Sequence, residues 1–216
     1  MTPEPATAPD PARPPEPAVT NEPAHADRSA PGQEPRVPDS VRLALPAEAA
    51  SIADVQRRSW ADQLPADLAQ SLLSEVTAEQ MTQAWYRAIT RPPEARYRVL
   101  VAVDDSRVVG FATTVPSQDP DAHGAQDALV DEFAVDPPAQ RRGHGSRLLH
   151  ACVDTLRADG FSRATWWVGS THDRLRAFLT EAGWAPDGGW REIGSDDDTV
   201  RVKQIRLHTD IRDQDA

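Results

Sequence analysis

The sequence is most constrained at residues 130–156, where a strand-like run gives way to a helical pattern across a turn containing two glycines (VDEFAVDPPAQRRGHGSRLLHACVDTL). The run ends at Pro137 and Pro138, because proline has no backbone N–H to donate within a sheet. Gly143 and Gly145 follow, and apolar residues then recur at helical spacing. With a further strand predicted at 164–169, this segment is predicted to form a strand–helix–strand crossover, which indicates an α/β fold.

Alternating elements are also predicted along the rest of the chain from residue 41 onward. The predicted strands are 41–45, 97–103, 107–115, 128–135, 164–169, 189–193 and 200–209. The predicted helices are 47–60, 64–73, 77–89, 143–159 and 172–182. Thr77 and Gln80 have the spacing of a capping box, which marks the start of the third helix. The order places antiparallel strands at the front of the fold and the crossover behind them.

The N-terminal segment differs in composition from the rest of the chain. Residues 1–39 hold 11 of the 20 prolines and no aromatic residue. Such a segment buries too little apolar surface to offset its ordering entropy, so it is predicted to be a disordered Pro-rich tail. A docking site for a partner is the alternative, although no convincing arginine-flanked PxxP motif is present. We therefore expect a tail at 1–39, one folded domain at 40–210 and a flexible C-terminus at 211–216.

Composition also excludes several classes of function. The net charge of −11 argues against nucleic-acid binding, and no apolar run approaches the roughly 20 residues of a membrane-spanning helix. The N-terminus lacks the pattern of a signal peptide. Cys152 is the single cysteine, and no Cys/His cluster has zinc spacing, so no metal site is expected. We expect a cytoplasmic protein, either monomeric or homodimeric, with no nucleic-acid or membrane partner.

The turn around Gly143 and Gly145 has the properties of an anion site. The first turn of a helix leaves backbone N–H groups unpaired, and glycines let a phosphate approach them closely. Polar and cationic side chains surround the turn: Arg141, Arg142, Ser146 and Arg147. The spacing alone equally allows a tight turn with solvated arginines. A dinucleotide-binding fingerprint is disfavoured because Leu148 stands at the place of its third glycine.

The motif Gln140–Gly145 (QRRGHG) resembles the Q/R-x-x-G-x-G/A signature of the GNAT superfamily of N-acetyltransferases. The preceding segment, Phe133–Pro137, resembles the strand that leads into that signature. The segment 178–184 (FLTEAGW) is similar to a later helix of the family. The resemblance covers roughly residues 41–209. It implies a GNAT-like mixed, mostly antiparallel sheet with splayed central parallel strands, flanked by helices, and an acetyl-CoA-dependent N-acetyltransferase acting on a small-molecule amine.

The same resemblance implies which residues bind acetyl-CoA. Backbone groups of Phe133, Ala134 and Val135 would hold the pantetheine arm and polarise the thioester carbonyl. The pyrophosphate would lie on the signature turn, formed by Gln140, Arg141, Arg142, Gly143, His144, Gly145 and Ser146. The family's usual asparagine contact with the CoA arm falls on His172. The His144 side chain is expected to face solvent or the phosphate arm.

Chemistry predicts a carboxylate near the thioester. An alkyl amine with a pKa near 10.4 is mostly protonated at pH 7, and freeing its lone pair costs about 4.6 kcal/mol. A carboxylate in the cleft offsets part of this cost by accepting the proton. Glu132 is the first candidate for this base. Asp131 is the second, since strand alternation would put it on the opposite face. The alternative is that one of them only satisfies a neighbouring arginine.

The sequence departs from the family at the residue that protonates the departing thiolate. Family members often carry a tyrosine four residues before the glycine of the later helix, and here that position is Leu179. Two further readings therefore stay open: an acyl-CoA-binding module with little or no transfer activity, and a transferase acting on protein N-termini or lysines. Trp60, Trp85 and Tyr86 fall in the helices that commonly wall the acceptor site, although packing is the default role for each. Cys152 is expected in the core.

Overall fold

A computed structural model describes residues 40–194 and 201–212. The Pro-rich segment, the acidic tip at 196–198 and the last four residues lie outside this range. The strands are β1 Ser40–Leu43, β2 Arg98–Asp104, β3 Arg107–Pro116, β4 Asp127–Val135, β5 Arg163–Gly169, β6 Ala185–Gly194 and β7 Arg201–Asp210. The helices are α1 Ala49–Gln63, α2 Ala66–Glu75, α3 Ala78–Thr90, α4 His144–Ala158 and α5 Asp173–Glu181. Each predicted element is present, with ends shifted by a few residues.

Seven strands form one mixed sheet in the order β1-β2-β3-β4-β5-β7-β6. All neighbouring strands are antiparallel except β4 and β5, which are parallel. Pairing between β4 and β5 covers only Asp127–Leu129 against Arg163–Thr165. Beyond these residues the two strands separate, which opens a gap in the middle of the sheet. The expected mixed, mostly antiparallel sheet with splayed central strands is confirmed.

Helices cover both faces of this sheet. On β2, Val99, Val101 and Val103 belong to a core cluster with residues of α1 and α3, whereas Leu100 belongs to a second cluster with residues of α4 and α5. Successive strand residues point to opposite faces, so the two helix groups lie on opposite sides. A sheet buried on both faces requires continuous apolar strands, which explains the uninterrupted apolar run of β2.

Cys152 lies in the core between α4 and the sheet, as expected. Burial raises the pKa of its thiol to about 12, so the group stays protonated and unreactive at neutral pH. Within the described range, no helix is both long and apolar enough to cross a bilayer.

Candidate active site

The gap between β4 and β5 leaves one edge of β4 open beyond Leu129. On its other edge, Phe133–Val135 pairs with β3. The Phe133 ring lies 4.9 Å from the Trp166 ring and 6.4 Å from the Phe178 ring, measured between centroids. These aromatic side chains pack together at the gap, and backbone groups of β4 lie along its edge.

The turn at the start of α4 has the backbone geometry of an anion-binding site. Arg141 (φ 63°) and Gly143 (φ 84°) both adopt the left-handed conformation. Such residues turn successive N–H groups toward one side and create a concave cluster of donors. At Gly145, an added Cβ would lie 3.7 Å from Cγ2 of Val135 and 3.9 Å from Cζ of Phe178. These are ordinary van der Waals distances, so the turn lies against Val135 and Phe178 beside the gap.

Gln140 supports the turn from within the protein. Its Nε2 donates to the carbonyl oxygen of Val135 over 3.2 Å. This bond ties the end of β4 to the beginning of the signature turn. The side chain of Gln140 thus positions the turn, and the structure gives it a protein partner.

The expectation that the His144 side chain faces solvent or the phosphate arm is wrong. His144 is only 2% exposed, because it lies on the face of α4 that packs against the sheet. Nη2 of Arg147 lies 3.0 Å from its Nδ1, and its Nε2 lies 3.7 Å from Oδ2 of Asp104. Arg142 also reaches Asp104, at 2.8 Å. Because this side chain is buried, only the backbone N–H of His144 is available to bind an anion on the turn.

A β-bulge determines where the two candidate carboxylates point. The register of β4 against β3 shifts between Val130 and Phe133, so Asp131 and Glu132 together oppose Thr113. The Glu132 N–H donates to Oγ1 of Thr113 over 3.0 Å, which holds the bulge. Both carboxylates line the same cavity. The prediction that Asp131 and Glu132 lie on opposite faces is therefore wrong, because the bulge breaks the alternation of the strand.

The environment raises the pKa of both carboxyl groups. Partial desolvation in the cleft and, as the smaller cause, the nearby charge of Asp131 together raise the pKa of Glu132 to about 7. Burial also raises the pKa of Asp131, whereas the guanidinium of Arg191 opposes that rise. Both side chains remain accessible to water in the open cleft. Glu132 therefore has the pKa that suits a general base at neutral pH.

The cavity beside these carboxylates has a volume of about 520 Å³ and lies between the sheet and helices α1 and α3. Trp60 and Trp85 line it, and Nε1 of Trp85 donates to Oε1 of Gln56 over 2.7 Å. Tyr86 is 52% exposed and lies outside the lining. The cavity is in the size range of small-molecule sites.

In the described part of the chain, no group of three or more His, Cys, Asp or Glu side chains could hold a metal ion.

Helix α5 presents different residues to the gap than the family pattern implies. Leu179 is fully buried and packs in the core with Trp184. His172 stands at the N-cap of α5 without a side-chain capping bond. Burial lowers the pKa of His172, and the charge of Arg174 lowers it further. Leu179 brings no proton donor to the gap, and the lowered pKa favours the neutral form of His172.

Two residues of the site were missed by reasoning from the sequence. Thr113 holds the bulge, and Gly110 lets β3 approach β4 closely. A Cβ on Gly110 would lie only 2.9 Å from the carbonyl oxygen of Ala134. The signal for Gly110 was its isolated position inside a strand pattern, which indicates a close backbone approach. No sequence signal marks Thr113.

Comparisons with known proteins agree with this geometry. The model of the acetyltransferase (GNAT) family matches residues 58–184, more than half of the chain. A mycothiol acetyltransferase from Rhodococcus opacus (strain B4) is 33% identical over 121 residues, which cover 52% of this chain and 36% of that protein. The chain thus spans little more than a third of the length of that curated relative.

Solved structures of acetyltransferases share the fold. An N-acetyltransferase from Staphylococcus aureus Mu50 has a TM-score of 0.64 at 15% identity, covering 81% of this chain and 99% of that one. The protein yncA from Salmonella typhimurium, solved with its cofactor acetyl-CoA, has a TM-score of 0.61 at 17% identity, covering 82% and 96%. The ribosomal-protein-S18-alanine N-acetyltransferase from Escherichia coli has a TM-score of 0.57 at 16% identity, covering 82% and 98%. At these identities the likeness shows the fold alone.

Proposed function

The chain belongs to the acetyltransferase (GNAT) family, and we propose that it transfers an acetyl group from acetyl-CoA to a primary amine of a small molecule. The observation that carries this proposal is the bulge in β4. It turns Glu132, with its pKa raised to about 7, into a cavity of small-molecule size. Phe133, the next residue along the strand, lies at the rim of the gap between β4 and β5.

Acetyl-CoA supplies the thioester that the amine attacks directly. The open edge of β4 at Phe133, Ala134 and Val135 holds the pantetheine arm and polarises the thioester carbonyl through its backbone groups. The signature turn at 141–146 holds the pyrophosphate. The left-handed backbone at Arg141 and Gly143 supports this role, since it gathers N–H donors on one side of the turn.

Glu132 acts as the general base. The amine arrives protonated, and its nitrogen becomes a nucleophile only after losing a proton. Glu132 accepts that proton, and a base with a pKa near the working pH is well matched to the task. The carboxylate of Asp131 faces the same cavity, where it attracts the ammonium group. It is the second candidate for the base.

The departing thiolate leaves without a tyrosine donor. The side chain at that place, Leu179, has no ionisable group and supplies no proton. A thiol with a pKa near 8.5, judged by cysteine, is a tolerable leaving group, and solvent protonates the thiolate. Leu179 at the place of the family's tyrosine, and His172 at the place of its asparagine, also favour a second candidate function, an acyl-CoA-binding module with little or no transfer activity.

We further propose that the protein works in the cytoplasm, because its single cysteine is buried and free of disulfides. The acceptor is a small molecule and not a nucleic acid, which fits the net charge of −11.

Release of free CoA thiol tests the proposal. The protein is incubated with acetyl-CoA and a panel of primary amines, and CoA binding is titrated in parallel for the wild type and Glu132→Gln. Amine-dependent thiol release that Glu132→Gln loses, with CoA binding intact, is the expected result. Tight CoA binding without release across the panel would favour the binding module. Absence of CoA binding would overturn both functions.

A further inference from the structure

We propose that the acceptor is a monoamine with an apolar body, rather than a polyamine or an amino sugar. This inference rests on the proposed function and names the substrate class of the same site. The two carboxylates of the cavity, Asp131 and Glu132, lie together on β4, and most of the remaining wall is apolar. Its large apolar side chains are Trp60, Val76, Met81, Trp85, Val99 and Val115.

Helix α3 builds the apolar wall through its helical period. Met81, Ala84, Trp85 and Ala88 follow the spacing i, i+3, i+4 and i+7, which places them on one face. Met81 and Trp85 are buried against the sheet, whereas Ala84 and Ala88 are exposed to the cavity. The two small side chains leave the space that an apolar ligand would fill.

Contacts within the protein fix the orientation of Trp85 in this wall. The indole of Trp85 donates to Gln56 and meets the edge of the Phe111 ring, with 4.9 Å between centroids. Such fixed aromatic surfaces lose little conformational entropy when a ligand packs on them.

The polar side chains of the lining, apart from the two carboxylates, already bond within the protein. Nε1 of Trp85 donates to the amide oxygen of Gln56, and the Thr77 N–H donates to that of Gln80. The remaining bonds join Arg98 to Asp159, the Tyr97 hydroxyl to Gln118, and the Thr113 hydroxyl to the Glu132 N–H. Further ammonium or hydroxyl groups of a polyamine or amino sugar would therefore be desolvated against an apolar wall with few partners. A single ammonium group, in contrast, can interact with the carboxylates of Asp131 and Glu132.

Binding to the CoA-loaded protein tests this inference independently of catalysis. Calorimetry would compare 2-phenylethylamine, ethylamine and spermidine in the presence of CoA. Since burial of one aromatic ring contributes on the order of 30-fold in affinity, 2-phenylethylamine is expected to bind at least about 30-fold more tightly than ethylamine. The same order is expected in kcat/KM for acetylation.

Variants of α3 locate the binding site. Ala84→Leu and Ala88→Leu fill the cavity without lowering helix propensity much, and each is expected to weaken 2-phenylethylamine binding about tenfold while ethylamine binding is retained. The matched control is Gln83→Leu, an equally apolar change on the same helix outside the lining, which is expected to change neither affinity.

Two results would overturn the inference: equal or tighter binding of ethylamine or spermidine, or unchanged 2-phenylethylamine binding in both alanine variants. Failure of the proposed function would look different, since 2-phenylethylamine would still bind while no amine in the panel released thiol from acetyl-CoA.

Discussion

Replacing Glu132 by glutamine is expected to remove most acetyl transfer at neutral pH, because the amide cannot accept the proton that the ammonium must lose. Loss of a positioned general base costs about 10²- to 10⁴-fold in rate. Since the pKa of Glu132 is raised to about 7, about one tenth of the wild-type protein is ionised there at pH 6 and about nine tenths at pH 8. The wild-type kcat/KM should therefore rise about tenfold between these values and then level off.

The pH profile of Glu132→Gln should differ in shape as well as in height. Without the base only the unprotonated amine reacts, and its fraction grows about tenfold per pH unit below a pKa near 10.4. The logarithm of kcat/KM should then rise with unit slope from pH 6 to pH 9 and show no plateau. The difference in kcat/KM between the variant and the wild type should therefore become smaller at alkaline pH.

Initial rates of thiol release at subsaturating amine, with CoA binding titrated alongside, measure both profiles. Asp131→Asn is the matched control, because it removes the neighbouring charge that helps to raise the pKa of Glu132. We expect its midpoint to move to lower pH while most of the plateau rate is retained. A wild-type plateau and midpoint in Glu132→Gln would refute the reasoning. A larger loss of rate in Asp131→Asn than in Glu132→Gln would identify Asp131 as the base.

Two further substitutions, and the stability of Glu132→Gln, test the structure around the site. Gly110→Ala places a Cβ 2.9 Å from the Ala134 carbonyl oxygen, so chemical denaturation should show a loss of about 1–3 kcal/mol and titration should show weaker CoA binding. Leu179→Tyr buries a hydroxyl in the core and should lower the free energy of unfolding by about 1–3 kcal/mol without raising kcat. Glu132→Gln should stabilise the protein at pH 8 but not at pH 4. Because the pKa of Glu132 is raised from 4.5 to about 7 in the folded state, wild-type stability falls as the pH rises between these two values and levels off above them. We expect only about 1 kcal/mol in denaturation curves, because solvent screens this accessible group.

The local elements of the fold could be predicted from the sequence because their signals lie within a few residues of one another. Thr77 and Gln80 form the predicted capping box, with bonds of 3.1 Å and 2.9 Å. Pro137 follows the end of β4 as expected. Gly143 takes the left-handed conformation just before α4, which glycine adopts at little cost.

The side chains of the site were predicted less well, because their directions depend on distant partners. Counting from Gly183 identified Leu179 as a departure from the family pattern, but not its burial in the core. His144 was expected to face outward, yet the sheet and Asp104 hold it inside. In both cases the packing of a helix against the sheet, and not the helix itself, decides which face is buried.

The sequence by itself determined the order of strands and helices, the glycine turn that precedes α4, and the acidic pair in the strand before that turn. Only the tertiary structure decided that Asp131 and Glu132 share one cavity with α1 and α3. Strand periodicity assigns successive side chains to opposite faces, and it holds only while two strands stay in register. Here the register shifts where the Glu132 N–H bonds the hydroxyl of Thr113, 19 residues earlier. A contact over that separation exists only once β3 and β4 have paired.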